Sequence, residues 1–274
     1  MSTANNKSKQ KDIIHFSHAN GIPAKSYQVM LDALSEEFEV GYLLQLAHNN
    51  LFPVNDNWGN LVDELIAYME SHYDKPVIAV GHSMGGVVSY LAALKRPDLI
   101  KMLVLLDPPL LMGSTMAFML RLAKRFNFID KVTPAGRTLG RQEIWSDHDT
   151  AFTYFKSKSL FRGTDPRCLM DYVKHGTKKC DEGIRLTFTP QAEVAIFRTV
   201  PHNLYKRNIS LKQPGAIIYG FGSDVVQGKT LEKMKRKVGL DMNGIEGGHM
   251  FPLERPEFTA QEIIKTISAL SAAN

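Results

Sequence analysis

Short apolar runs alternate along this chain with segments in which apolar residues recur every three or four positions. Residues 13–18 read as a short strand, and 24–38 as a helix with Tyr27, Met30, Leu31 and Leu34 on one stripe. A second strand over 40–47 precedes a helix over 57–72, whose Leu61, Leu65 and Met69 align. The run 77–80 is a buried strand, 84–95 a packed helix stopped near Pro97, and 102–106 a strand ending at Asp107 and two prolines. After a different middle the rhythm resumes: strand 216–219, helix 231–238, strand 242–245 and a closing helix over 257–270. Alternating strands and helices imply parallel strands joined by right-handed crossovers, an α/β fold with a sheet of about six strands.

The middle, 111–210, breaks this alternation. Residues 114–128 place Met116, Phe118, Met119, Leu122, Phe126 and Phe128 among Arg121, Lys124 and Arg125. Residues 147–157, 165–175 and 191–199 also carry helical patterns, with Asp165 and Pro166 a good helix start. A mostly helical insertion following a parallel strand predicts a cap over the C-terminal edge of the sheet, where α/β sites lie. Met116, Met119, Leu122 and Phe126 are the candidates for an acyl pocket in that cap. The expected organisation is a polar tail over 1–11, an α/β core over 12–110 and 211–274, and the helical cap over 111–210.

With 274 residues, 44% of them hydrophobic, the chain can bury a core as one domain or as a domain with an insertion. The net charge of +5 is uneven: residues 110–212 hold 18 Lys and Arg against 9 Asp and Glu. A basic segment on a mildly acidic body suits an anionic substrate, nucleic acid or anionic lipid, or is simply a solvated surface. No nucleic-acid-binding module accompanies it, so no nucleic-acid partner is expected. The apolar runs are too short to span a bilayer, and the N-terminal residues lack the apolar centre of a secretory signal. Cys168 and Cys180 lack a Cys-x-x-Cys spacing, which argues against a disulfide framework or a zinc site and fits a reducing, cytoplasmic location. With no His-Glu-x-x-His, calcium-loop or haem pattern, neither metal nor cofactor is expected; the oligomeric state is left open.

The chemistry gathers around Gly81-His-Ser-Met-Gly85, between the strand 77–80 and the helix that follows. That context exposes Ser83 on a sharp strand-to-helix turn, with glycines two residues to either side where side chains would obstruct the turn. A serine hydroxyl needs a histidine base held by a carboxylate. His249 fits best, late in the chain behind Gly247 and Gly248, between a strand and the last helix. Asp224, in a glycine-bearing loop after 216–219, is the first choice of acid; Asp107, at the end of 102–106, is the alternative. Two backbone N–H groups should meet the developing oxyanion. Met84 supplies one at a helix N-terminus, and Asn20 the other from the first strand-to-helix loop, with Ala19 and Ile22 as alternatives.

At these residues the chain resembles the α/β-hydrolase superfamily, in its serine-nucleophile, cap-containing esterase and lipase-like branch. His18–Pro23 resembles the His-Gly-x-Pro element and Gly81–Gly85 the nucleophile elbow, while Asp224 and His249 stand where the acid and base belong. The resemblance implies hydrolysis of a carboxylic ester or thioester through a covalent acyl-enzyme, on a small-molecule substrate that is acyl-chain-bearing or anionic. Two alternatives stay open: a carbon–carbon bond hydrolase or an acyl or perhydrolytic transferase using the same triad, and a ligand-binding scaffold without turnover.

Overall fold

The computed structural model describes residues 11–204 and 211–273. The tail expected over 1–11 lies outside the described residues except for Lys11, as do the last six residues of the expected cap. The first half alternates as the pattern requires: β1 (Ile13–Ser17), α1 (Gln28–Ser35), β2 (Glu39–Tyr42), α2 (Gly59–His72), β3 (Val77–His82), α3 (Met84–Lys95) and β4 (Ile100–Leu106). An insertion follows, with α4 (Ser114–Arg125), α5 (Ile129–Val132), α6 (Ala135–Thr138), β5 (Ile144–Trp145), α7 (His148–Lys156) and α8 (Pro166–Gly176). It continues through β6 (Thr177–Cys180), β7 (Gly183–Leu186) and α9 (Pro190–Arg198). The alternation then returns as β8 (Gly215–Gly220), α10 (Gly228–Lys237), β9 (Asp241–Ile245), α11 (Phe251–Glu254) and α12 (Pro256–Ala272).

Six strands form one parallel sheet in the order β2-β1-β3-β4-β8-β9. The central strands β1, β3 and β4 are apolar on both faces because helices cover both. One buried cluster packs Ile14, Phe16, Ile78 and Val104 against α1 and α12; the other packs Ile13, Val77, Ala79 and Leu103 against α2 and α3. Between α8 and α9 lies the feature the sequence reading lacked, the hairpin β6–β7, which with β5 makes a three-stranded antiparallel sheet.

The insertion is fastened to the core at two flanks. On one, Trp145, Phe155, Phe161 and Tyr172 join the same buried cluster as Phe16 and Tyr27, and Asp165 N–H donates to Leu253 O at 2.8 Å. On the other, Trp58 Nε1–H donates to Ile196 O at 3.0 Å, and Asn57 N–H to Thr199 O at 2.9 Å. The stretch α4–α6 is held less firmly, around a small cluster of Leu120, Ala123 and Ile129.

The crossing of α3 over the end of β1 demands glycine. A Cβ on Gly85 would overlap the Ser17 carbonyl oxygen and lie 2.7 Å from that of His18; one on Gly81 would lie 2.5 Å from the carbonyl oxygen of Gly85. These are backbone atoms of the sheet and its first loop, so nothing can yield cheaply. Gly85→Ala is expected to cost on the order of 3 kcal/mol and to lower the thermal midpoint by about 10 °C. Calorimetry checks this, and an unchanged midpoint would refute the close approach.

Candidate active site

Ser83 follows β3 directly and precedes α3, with φ 53° and ψ −116°, a conformation that costs energy for a residue bearing a Cβ. Its N–H donates to Leu106 O at 2.9 Å, which pins the turn against the end of β4. Ser83 Oγ lies 3.0 Å from His249 Nε2, and His249 Nδ1 lies 2.7 Å from Asp107 Oδ2. A carboxylate accepts, so Nδ1–H is the donor, which leaves Nε2 free to accept the serine proton.

The carboxylate that faces the imidazole is therefore that of Asp107, the alternative of the sequence analysis, and Asp224, its first choice, does not face it. Asp107 sits at the end of β4 with φ 45° and no exposure, its N–H donating to Ile218 O at 2.8 Å. Its carboxylate also accepts from Gly220 N–H at 3.1 Å and from the Ser223 hydroxyl at 2.5 Å. The loop after β8 turns Ser223 inward, where its Oγ further accepts from the amides of Val225 and Val226 at 3.0 and 3.3 Å. The next residue is exposed: the Asp224 carboxylate makes no hydrogen bond or ion pair among the described residues, and its carbonyl accepts from Gln227 Nε2 at 3.4 Å. Ser223 was missed in the sequence, where the adjacent acid drew attention instead.

Met84 N–H opens α3, where no intrahelical carbonyl can reach it. In the first loop the alternatives are already engaged: Ala19 N–H faces Tyr27 Oη at 3.4 Å, and Ile22 N–H donates to Ala19 O at 3.2 Å. Asn20 N–H makes no hydrogen bond among the described residues, and its side chain Nδ2 donates to Glu193 O at 3.2 Å, which fixes the loop against α9.

A second chain of hydrogen bonds, also missed in the sequence, runs beneath these groups. Tyr27 Oη lies 2.8 Å from His82 Nδ1, and His82 Nε2 lies 2.9 Å from the carbonyl oxygen of His249. The carbonyl fixes Nε2–H as donor, so Nδ1 accepts from Tyr27 and the ring is neutral. Burial holds the His82 pKa well below the usual 6.5, and the neighbouring His249 adds to that. His18 is likewise committed: Nδ1–H donates to Ala19 O at 2.8 Å and Nε2 accepts from Leu46 N–H at 2.9 Å. Burial takes its pKa down to about 4, against the opposing pull of the Ala19 carbonyl.

The expected acyl pocket is not formed by the residues proposed for it. On α4 the buried residues are Ala117, Leu120 and Ala123, while Met116, Met119 and Phe126 are 46%, 54% and 64% exposed. Leu122 is half-buried and lines a surface cavity of about 390 Å³ together with Phe118, Arg121 and Arg125. Met116 and Met119 recur at the same spacing as Ala117, Leu120 and Ala123, and the helix buries the side that carries the alanines and Leu120. Neither that cavity nor a larger groove of about 630 Å³ at Arg141 is lined by Ser83 or His249. Among the described residues, no group of three His, Cys, Asp or Glu side chains could hold a metal ion, and no helix is long and apolar enough to cross a membrane. Both cysteines are free thiols, Cys168 being buried.

The model of the alpha/beta hydrolase family matches residues 18–262, most of the chain and all of the elements that carry this site. The chain belongs to the alpha/beta hydrolase family. A type I acyl-CoA thioesterase of Penicillium brevicompactum is 24% identical over 175 residues, 58% of this chain and 38% of that protein. The chain thus matches well under half the length of that curated relative. Among solved structures, an E-2-(acetamidomethylene)succinate hydrolase superposes with TM-score 0.77 at 19% identity, covering 96% of this chain and 93% of the other. The thioesterase domain from the curacin biosynthetic pathway superposes with TM-score 0.71 at 18% identity, covering 93% and 91%. At these identities the two structures establish a shared fold.

The buried neutral imidazoles of this alpha/beta hydrolase carry a consequence for stability. A histidine whose folded pKa lies below its unfolded value near 6.5 stabilises the fold fully above 6.5 and loses that contribution as pH falls toward the folded value, because the unfolded chain binds the proton first. His15, lowered to about 3 chiefly by burial, and His18 and His82 all act in this direction. Unfolding free energy is expected to drop by a few kcal/mol, on the order of one residue's full linkage, between pH 6.5 and 5. Glu64 and Glu193, whose pKa burial raises, act in the opposite direction; urea midpoints across that range check the net fall, and a flat profile would refute the neutral assignment.

Proposed function

We propose that this protein is a serine hydrolase that cleaves a carboxylic ester or thioester through a covalent acyl-enzyme, with Ser83 as nucleophile, His249 as base and Asp107 as acid. The observation that carries this reading is the directed chain of hydrogen bonds from Ser83 Oγ through His249 to the buried Asp107 carboxylate, set on a strained turn in a family of hydrolases. The 24% identity to an acyl-CoA thioesterase supports keeping thioesters within the substrate range.

In this mechanism Ser83 Oγ attacks the acyl carbon while its proton passes to His249 Nε2. The imidazolium so formed is stabilised by Asp107, whose carboxylate is already held by Gly220 N–H and the Ser223 hydroxyl. The tetrahedral oxyanion is received by the N–H groups of Met84 and Asn20. Collapse breaks the bond to the alcohol or thiol, which takes the proton from Nε2, and an acyl-Ser83 ester remains. Water then repeats the sequence with the same base and releases the acid. Protonation of His249 before substrate arrives removes the acceptor for the Ser83 proton, so activity falls in acid. The segment between β4 and β8 serves as a cap that shields the acyl group and sets its range.

Fluorophosphonate labelling of the wild type and Ser83→Ala, followed by a panel of ester, thioester and β-diketone substrates, tests this reading and its carbon–carbon rival. Ser83→Ala is expected to lose labelling altogether and roughly 10³-fold or more in kcat/KM with folding intact. Labelling that persists at another residue would overturn the assignment, and turnover of the diketone alone would favour the rival.

The acid is tested separately. Asp107→Asn is expected to lower kcat by roughly 10³-fold or more, because an amide leaves the imidazole without a carboxylate to hold its tautomer and stabilise its charge. Asp224→Asn is expected to stay within about twofold, as surface substitutions away from the reacting groups do. A dead Asp224 variant beside an active Asp107 variant would return the role to Asp224.

A further inference from the structure

Some of the positive charge of the insertion is matched locally: Arg198 pairs with Asp130 at 2.6 Å, Arg167 with Asp165 and Glu257 at 2.7 Å each, and Lys124 with Asp56. Lys178 and Arg185 stand out by their placement. They are direct cross-strand partners in the β6–β7 register, so their side chains leave the same face of the small sheet side by side. Like charges so placed oppose the pairing of the strands. Both side chains are exposed, and among the described residues neither has a carboxylate within 4.0 Å. The register thus holds two cations side by side with no carboxylate in ion-pair contact among the described residues.

Lys178 and Arg185 line the groove of about 630 Å³ whose third cation is Arg141. Gln191 adds a hydrogen-bonding group to its wall, and Glu143 is the single acidic residue there. Arg141 is ion-paired at the inner end of the groove, its Nη2 2.7 Å from Glu193 Oε2. The same Glu193 carboxylate packs on Gly21, 2.9 Å from where a Cβ would stand, and Glu193 O holds the side chain of Asn20. One side chain therefore separates the inner end of the groove from the loop whose amide faces the reacting carbonyl.

We propose that this groove is a subsite for an oxyanionic group of the substrate, a carboxylate or a phosphate, held by Arg141, Lys178 and Arg185 while the acyl carbonyl lies at Ser83. The inference rests on the hydrolase reading for the identity of its ligand as a substrate, and on the groove alone for anion binding. Guanidinium groups suit both oxyanions, since their forked donors match the paired oxygens, and lysine adds a mobile point charge. An oxyanion between Lys178 and Arg185 turns their repulsion into two attractions. The volume lies within the range of small-molecule sites, so the groove accommodates more of a ligand than a single inorganic ion.

The test uses the full chain and three substrates: p-nitrophenyl butyrate as the neutral reference, mono-p-nitrophenyl glutarate with a carboxylate on the acyl side, and butyryl-coenzyme A with phosphates on the leaving group. In Lys178→Gln/Arg185→Gln, the ratio of kcat/KM for an anionic substrate to that for the neutral one is expected to fall at least tenfold, mainly through KM. The substrate that shows the loss names the source of the anion. Lys235→Gln/Lys237→Gln, which removes the same charge from α10, is expected to move that ratio less than twofold. The thermal midpoint of the groove variant is expected to hold or rise, because a like-charge pair has been removed. Equal losses from the two double variants would overturn the subsite in favour of diffuse charge, and so would ratios that stay constant throughout. Should the wild type hydrolyse none of the three, the hydrolase reading fails by itself. Calorimetric titration with coenzyme A and with glutarate then decides the groove: binding that Lys178→Gln/Arg185→Gln abolishes supports it, and no binding of either probe to the wild type overturns it.

Discussion

The Asp107 carboxylate has no exposure, and its burial organises everything around it. A carboxylate removed from water must have its oxygens met by donors, and each donor here comes from a different stretch of chain. Gly220 supplies an amide at the end of β8, Ser223 a hydroxyl from the following loop, and His249 the ring N–H from the loop before α11. Satisfying one buried group therefore fixes the ends of two neighbouring strands and the orientation of the imidazole. The elbow at Ser83 is registered against the same strand end through Leu106 O, so Ser83, His249 and Asp107 share a single mechanical reference.

The sheet was readable because burial on both faces leaves a plain signal: the apolar runs at 77–80 and 102–106 fit parallel strands and little else. Ser83 and His249 were readable because tight turns require glycine at fixed offsets. The acid was not. Asp107 and Asp224 both follow strands, and the difference lies in which side chain of the loop after β8 turns inward, a matter of Ser223 and two amides that spacing does not encode. On α4 the period was visible but its buried side was not. Large apolar side chains mark a face by hydrophobicity, whereas the packed face is set by Ala117 and Ala123, which let the helix approach its neighbours. The hairpin β6–β7 was hidden for a third reason. Its strands are four residues each and half polar, too short to display a period.

The two hydrogen-bond chains meet at His249, one at its ring and one at its carbonyl. From Ala19 N–H through Tyr27 and His82 to the His249 carbonyl, each proton has one direction it can take, so the buried His82 ring is held in a single neutral tautomer. The loop expected to face the reacting carbonyl and the loop that carries the base are thereby braced against one another beneath the elbow. A neutral His82 also spares the site a second positive charge when His249 takes a proton, their ring centres being 5.0 Å apart.

The uneven fastening of the insertion bears on how such a protein diverges. The half built on Trp145, Phe155 and Tyr172 shares its core with the sheet, so a change of volume there is felt by the whole fold. The stretch α4–α6 packs around a cluster of three buried residues and turns Met116, Phe118, Met119 and Phe126 outward. Exchanges among those side chains leave the sheet and the buried carboxylate untouched. Mutational drift thus has a nearly neutral territory beside a constrained one, within a single insertion, and the surface presented by α4 is free to be rewritten from one descendant lineage to the next.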